Sequence, residues 1–462
     1  MTRYYLAVDI GASSGRHILG HVKNGTIFLE EVYRFPNSMV ERNGHLCWDV
    51  DRLFGEVLAG MRVCRDLGKR PASMGIDTWA VDFVLLDRAG RRLGDPVAYR
   101  DSRTQGMDQW VRQRISDQEL YRRTGIQFQP FNTIYQLAAV RDLLPQAEAL
   151  LMIPDYLHFL LTGVRKFEYT NASSTGLLDA ANCDWDRDLL DKLGYPQTLF
   201  PDLSMPGETV GRLLPEVAET VGFDCQVVLP ATHDTGSAFL AVPARDEHSV
   251  YLSSGTWSLL GVENPAPITT EASRKANFTN EGGYGRRYRY LKNIMGLWMI
   301  QRIRAEHAET YSFQQLIDMA EAADFDAIID VNDDSFLAPE SMTQAVRNYC
   351  RSHGLPVPET LGHLLGCVYR SLAVGYRDAI RELEGLTGRK YTAIHIVGGG
   401  SQADYLNCLT AQATGLTVYA GPTEGTALGN LMAQMIAAGE FEDLTAARAA
   451  VRESFDIREV LP

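Results

Sequence analysis

Asp234 lies in the run Thr232-His233-Asp234-Thr235-Gly236-Ser237-Ala238, directly after the apolar stretch Gln226 to Pro230. A carboxylate at such a strand-to-helix junction has two uses. It can cap the helix by accepting backbone N–H bonds, or it can take the proton of an attacking hydroxyl while a phosphoryl group moves in line. Asp9 comes at the end of the apolar run from Tyr4 to Ile10, just before Gly11-Ala12-Ser13-Ser14-Gly15-Arg16. Its carboxylate is either solvated at a turn or placed to hold a divalent cation through water. Glycines and small hydroxyl residues let the backbone N–H groups of that loop approach phosphate oxygens, and Arg16 can add a charge-assisted contact. Gly398-Gly399-Gly400 follows the apolar run Ile394 to Val397. Three bare residues there make a flexible turn or a flat surface for a planar group such as adenine.

Two stretches mix hydrogen-bonding groups with aromatics: Gly75 to Phe83, and Asn280-Glu281-Gly282-Gly283 together with Leu291 to Trp298. Such a mixture suits a polyol pocket, although tryptophans such as Trp79 and Trp298 are equally at home in a core.

The elements that must position these groups can be read from periodicity. Tyr4 to Ile10, His17 to Val22 and Thr26 to Tyr33 read as strands, and Asn24-Gly25 is a hairpin signal between the last two. The Gly11–Arg16 turn therefore leads into a strand. That excludes a dinucleotide fingerprint or P-loop, which need a helix next; no G-x-x-x-x-G-K-[ST] occurs. After the polar stretch Ala241 to His248, Ser249 to Gly261 repeats strand, small polar turn, strand. Two such units read as an internal duplication. Asp51–Leu67, Leu291–Glu306, Leu361–Leu386 and Thr426–Ala438 carry apolar residues at helical spacing, Gln402 to Thr414 is helix-like, and Gly429 suggests close packing. The class is α/β with mixed sheets.

At 462 residues the chain exceeds one core, so two domains are expected. A formal net charge of −14 disfavours nucleic acid and anionic membranes, so bound phosphate must be held locally. Seven scattered cysteines without C-x-x-C spacing fit a reducing compartment. No signal-peptide pattern opens the chain and no run is long enough to span a bilayer, so the cytoplasm is the expected location.

Together these motifs resemble the FGGY carbohydrate kinases from the first strand to about Ala437. The resemblance rests on Ala7 to Arg16, Gly75 to Phe83, Tyr99-Arg100-Asp101-Ser102-Arg103-Thr104, Pro154-Asp155-Tyr156 with Leu161-Thr162-Gly163, Ser253 to Leu259, and Asn293 to Trp298. It implies an actin-like, hexokinase-like ATPase fold of two ribonuclease H-like halves, 1–244 for sugar and catalytic aspartate and 245–462 for nucleotide, with a cleft between them. It implies ATP with Mg²⁺ and a ketose phosphorylated on its 1-hydroxyl, L-rhamnulose being expected and L-fuculose, L-xylulose, L-ribulose or D-xylulose the alternatives. A non-kinase actin-like ATPase is the rival from another class. Nucleotide contacts are implied for Ala12, Ser13, Ser14, Gly15, Arg16, Thr256, Gln301 and Gly399, and sugar contacts for Ala80, His233, Thr235 and Asn293. Asp234 becomes the proton acceptor and Asp9 lies near the metal. Ala80 departs from the family's glycine after the tryptophan. The expected state is a monomer, with a homo-dimer as the alternative.

Overall fold

The computed structural model describes residues 2–307, 310–337 and 339–462. The chain opens with β1 (Tyr4–Ile10), β2 (Ser14–Lys23) and β3 (Thr26–Pro36), an antiparallel meander as the apolar runs predict. Asn24 and Gly25 both have positive φ, at 53° and 81°. That is the pair a two-residue hairpin loop needs to match strand twist. Next come α1 (Val50–Asp66), β4 (Pro71–Thr78), β5 (Thr209–Arg212), β6 (Gln226–Val228) and α2 (Asp234–Leu240). They are followed by β7 (Ser249–Ser254), β8 (Trp257–Asn264), β9 (Thr279–Gly282), β10 (Tyr288–Met295) and α3 (Trp298–Glu306). The last elements used below are α4 (Leu361–Thr387), β11 (Ala393–Val397), α5 (Asp404–Thr414), β12 (Thr417–Ala420), α6 (Gly425–Ala437) and β13 (Arg458–Val460).

The helix expected over Leu291–Glu306 is corrected. Leu291 to Met295 end strand β10, Gly296 breaks the pattern, and the helix begins only at Trp298. Leu291, Ile294, Met295, Trp298 and Met299 have helical spacing, but a short apolar run reads the same in a buried strand.

The chain divides into two compact units. The first holds residues 1–243, 263–290 and 425–454, the second 244–262, 291–424 and 455–462. The first break falls at 243/244, and two later segments belong with the first unit. The reason for α6 is visible in its packing. A Cβ on Gly429 would overlap the Ser237 carbonyl oxygen of α2, so only glycine lets these helices approach so closely. Asn430 and Gln434 then bond backward, Asn430 Nδ2 to the Gly75 carbonyl at 3.1 Å and Gln434 Nε2 to the Leu6 carbonyl at 2.9 Å.

The first unit's sheet has the order β5-β6-β4-β1-β2-β3, with β1, β4 and β6 parallel. Leu53, Val57, Met61 and Cys64 of α1 recur every three or four residues and bury against Leu6, Val8, Met74 and Ile76. Burying each large aliphatic side chain contributes about 1.5–3 kcal/mol. In the second unit β8-β7-β11-β12-β13 lie side by side, with β7, β11 and β12 parallel. Among the described residues no helix is long and apolar enough to cross a membrane.

Candidate active site

In the first unit the parallel register of β1 and β4 places Asp9 opposite Asp77. Antiparallel pairing places Asp9 opposite Arg16, whose Nε and Nη2 donate to Asp9 Oδ2 at 3.0 and 2.8 Å. The arginine expected to reach a phosphate is thus also the counter-charge of the aspartate expected near the metal. Gly15 lies under Phe35, where a Cβ would overlap the ring. The turn itself closes through the Gly11 N–H to the Ser14 carbonyl at 2.9 Å, and Asn37 Nδ2 donates to the Gly11 carbonyl at 2.9 Å. Ala12 and Ser13 are exposed at its tip.

Asp77 is fully buried. Its Oδ2 accepts from Asn430 Nδ2 at 2.6 Å, and its Oδ1 has no hydrogen-bond partner. Burial first, and the Asp9 charge second, push this carboxyl well above the usual range. Asp234 is not an N-cap: it is the first residue of α2, and His233 holds the cap position. Asp234 Oδ1 accepts from the Thr235 N–H at 2.6 Å and Oγ1 at 3.1 Å, and the side chain stays 33% exposed. Burial pushes its carboxyl up, His233 opposes this, and Asp9 adds to it. An ionisable carboxylate that is held by its neighbour and open to solvent can act as a base.

His233 is buried beside Asp234, with Nε2 3.5 Å from Asp234 Oδ1. On its other side Arg289 Nη2 lies 3.0 Å from Nδ1, and Glu281 Oε2 lies 3.3 Å from the same nitrogen. Arg289 has no exposed surface; it pairs with Glu281 at 3.1 Å and donates from Nε to the Gly282 carbonyl at 2.8 Å. The segment leading into His233 is pinned by Glu168. Its carboxylate accepts from the Thr232 N–H at 3.1 Å and Oγ1 at 2.6 Å, and from Thr170 Oγ1 at 2.6 Å. Neither Glu168 nor Arg289 is reached by the motif reading. A lone arginine between Tyr288 and Tyr290 in an alternating strand is the only sequence trace of the second, and no spacing links Glu168 to Thr232.

Ala80 is half-buried and precedes Val81, whose φ of 68° is unusual for a β-branched residue. The Val81 carbonyl accepts from Thr133 Oγ1 at 2.7 Å and Gln136 Nε2 at 3.2 Å. Asp82 follows, fully satisfied by Trp48 Nε1 at 2.6 Å, Trp79 Nε1 at 3.0 Å, the Tyr99 N–H at 3.1 Å and Gln136 Nε2 at 2.9 Å. Trp79 packs on Trp48 with centroids 4.0 Å apart, so of its two readings the structure takes the core one. A packed tryptophan pair and a saturated carboxylate hold the strained Val81 backbone, next to Ala80, in a fixed path.

In the second unit three loops converge. Gly296 carries the turn at Thr256: a Cβ there would stand 2.7 Å from the Thr256 carbonyl oxygen and 2.9 Å from that of Gly255. The Leu297 and Trp298 N–H groups donate to the Gly255 and Thr256 carbonyls at 3.1 and 3.3 Å. Thr256 is exposed, as is Gln301 in the first turn or so of α3. Gly400 is pressed against Ser254, where a Cβ would overlap Oγ, whereas Gly399 is exposed and faces open space. Asn293 on β10 is partly exposed, and its buried Oδ1 has no hydrogen-bond partner. The structure thus gathers Thr256, Gly399 and the start of α3 in this unit, and Asp9, Arg16, His233, Asp234 and Thr235 in the first.

Among the described residues no three His, Cys, Asp or Glu side chains form a metal-holding group. Asp9 and Asp77 still fit a hydrated Mg²⁺, a hard cation that keeps several waters and takes one or two carboxylates plus phosphate oxygens, because the Asp77 Oδ1 is an orphaned buried acceptor next to Asp9.

The N-terminal domain of the FGGY family of carbohydrate kinases matches residues 4–241, and its C-terminal domain matches residues 250–438. The chain belongs to that family. This FGGY kinase is 49% identical to the rhamnulokinase of Oceanobacillus iheyensis over 99% of this chain and 98% of that protein. It is 44% identical to the rhamnulokinase of Bacillus subtilis over 99% and 95%. Its fold matches a xylulose kinase of Lactobacillus acidophilus with a TM-score of 0.82 at 18% identity, covering 100% of this chain and 94% of that one. A glycerol kinase of Plasmodium falciparum, solved with ADP, matches at 0.78 and 14% identity, covering 99% and 94%. The FGGY kinase is therefore a sugar kinase, with the two-domain actin-like ATPase fold.

Proposed function

We propose that this FGGY kinase transfers the γ-phosphoryl group of ATP to the 1-hydroxyl of L-rhamnulose, giving L-rhamnulose 1-phosphate and ADP in L-rhamnose breakdown. The observation that carries the reading is the name shared by relatives 42 to 49% identical over nearly the whole chain. Asp234 orients the sugar hydroxyl and takes its proton as the phosphoryl group moves in line. Its partial exposure, its anchoring by Thr235 and the neighbouring His233 support that role. His233, Thr235, Asn293 and the Ala80 backbone bind the sugar. Ala12 to Arg16 face the phosphates, while Thr256, Gln301 and Gly399 take the rest of the nucleotide. Mg²⁺, held through water by Asp9, offsets phosphate charge when bound. The enzyme works as a monomer in the cytoplasm.

The test is ADP release from Mg·ATP with L-rhamnulose, L-fuculose, L-xylulose, L-ribulose, D-xylulose and glycerol, and without sugar. L-Rhamnulose should give the highest kcat/KM and the sugar-free control should be near silent. A methyl or one hydroxyl is worth about 1–3 kcal/mol, or roughly 10–200-fold, in such a pocket. A different preferred sugar would overturn the substrate and point to Ala80. Equal turnover without sugar would overturn the kinase mechanism.

A further inference from the structure

We infer that Arg289 is a positioning residue that holds His233 as the neutral Nε2–H tautomer, so that the imidazole presents a donor to Asp234. A guanidinium has five N–H donors and no acceptor. Arg289 Nη2 hydrogen-bonds His233 Nδ1 at 3.0 Å, so Nδ1 must supply its lone pair. The ring proton then sits on Nε2, the nitrogen 3.5 Å from Asp234 Oδ1.

Glu281 would favour the opposite tautomer, because its Oε2 is 3.3 Å from Nδ1. Two features decide the contest. Arg289 is fully buried and its direction is fixed by the Nε bond to the Gly282 carbonyl. The same guanidinium pairs with Glu281 at 3.1 Å, which offsets the carboxylate charge that would otherwise draw a proton onto Nδ1. The groups facing the ring are thus Asp234, Glu281 and Arg289. Glu168 and Tyr169 act on Arg289 from the neighbouring segment, and Asp9 and Asp77 act on Asp234 and on one another.

Burying an arginine is costly unless its partners are well placed, so a fully buried guanidinium on one imidazole nitrogen does more than fill space. Its use is chemical. A neutral Nε2–H steadies the Asp234 carboxylate with a dipole, whereas an imidazolium beside it would weaken it as a base. The catalytic consequence rests on Asp234 being the base; the tautomer does not.

The tautomer can be read without substrate. Full-length protein labelled with ¹⁵N-histidine is examined by long-range ¹H–¹⁵N correlation at about pH 8, above the ordinary imidazole range, with His233→Asn assigning the signal. Expected is an unprotonated Nδ1 and a protonated Nε2. An Nδ1–H tautomer in the unmutated protein would overturn the inference, even if no variant folds. Arg289→Met should move the proton to Nδ1, towards Glu281, and Arg289→Met with Glu281→Gln should leave a tautomer mixture. A variant that folds and keeps the Nε2–H form alone would equally sink it. Where the kinase reading holds, Arg289→Met should also lower kcat by about tenfold or more with little change in the KM for ATP. Loss of both in proportion would mark a merely structural residue. If the sugar panel fails while the Nε2–H signal is found, the function falls and the tautomer stands.

Discussion

At the turn after β1, Ile10 faces Gly15, and the next pair outward is Asp9 with Arg16. At the turn after β7, Ser254 faces Ser258, and the next pair outward is Ser253 with Leu259. Both turns close by a backbone bond, Gly11 N–H to Ser14 in one and Gly255 N–H to Trp257 in the other, each at 2.9 Å. Both are seated by a missing Cβ, at Gly15 under Phe35 and at Gly296 under Thr256. What differs is charge. The first unit surrounds its turn with Asp9, Arg16, Asp77 and Asp234, while the second offers hydroxyls, amides and bare backbone. The two turns share a backbone shape and differ in the groups set around them.

The largest effects should therefore come from charge in the first turn's surroundings. Asp234→Asn removes the proposed base and Asp9→Asn the cross-strand partner of Arg16. Each should lower kcat by about 10²–10⁴-fold with the protein still folded, and Asp234→Asn should leave ATP binding largely intact by calorimetry. Ser253→Ala, at the matching place in the second turn, should change kcat less than about threefold, since no charge is lost. Near-normal turnover in Asp234→Asn would remove it from the mechanism. A large loss in Ser253→Ala would undo the contrast.

Shape is the next level. Gly296→Ala puts a methyl 2.7 Å from the Thr256 carbonyl, and backbone cannot swing away as a side chain can. A loss of about 1–3 kcal/mol in stability is expected, with the KM for ATP rising more than kcat falls. Gly15→Ala meets the Phe35 ring, and Gly15→Ala with Phe35→Leu should recover most of its stability loss. Denaturant melts and ATP titrations distinguish the two. Equal rises in the KM for ATP and for sugar in Gly296→Ala would mean that Gly296 does not serve the Thr256 turn in particular.

The same contrast shows what the amino-acid order discloses. The meander, the repeated strand-turn-strand, α1, α4 and α6 follow from local periodicity and from signals such as Asn24-Gly25, which act within a few residues. Asp9, Asp234 and the glycine turns are legible because they interrupt apolar runs at element boundaries. Arg289 and Glu168 are not, because each acts across a gap in sequence that no periodicity spans: Arg289 on His233, Glu168 on Thr232. Nor does the order reveal that Asp77 is sealed beside Asp9, which depends on the parallel register of β1 with β4. The misread start of α3 has the same origin, since sheet pairing of β10 overrides the helical spacing of its apolar residues.

Acid should act on the first turn's sheet through two buried histidines. His17, on the strand that leaves the turn, lies 3.1 Å from the Val57 carbonyl, and burial lowers its pKa to about 4. His158 accepts the Ile76 N–H of β4 at 2.9 Å, and burial lowers its pKa to about 3. Both stay neutral in the folded protein at pH values where an unfolded imidazole, at 6.5, takes a proton. The unfolded chain then binds more protons, so stability is complete above about pH 6.5 and is lost progressively as pH falls towards the folded values. At pH 5 each histidine should cost about 2 kcal/mol. Asp77 and Asp155, raised by burial, have the opposite sign and are common to any histidine variant. His158→Gln keeps an acceptor for the Ile76 N–H and cannot ionise. The drop in unfolding free energy between pH 7 and pH 5, from urea melts, should therefore be smaller by about 2 kcal/mol in this variant. An unchanged drop would mean that His158 takes up its second proton as readily in the folded protein as in the unfolded chain, at the expense of the Ile76 N–H bond to Nε2.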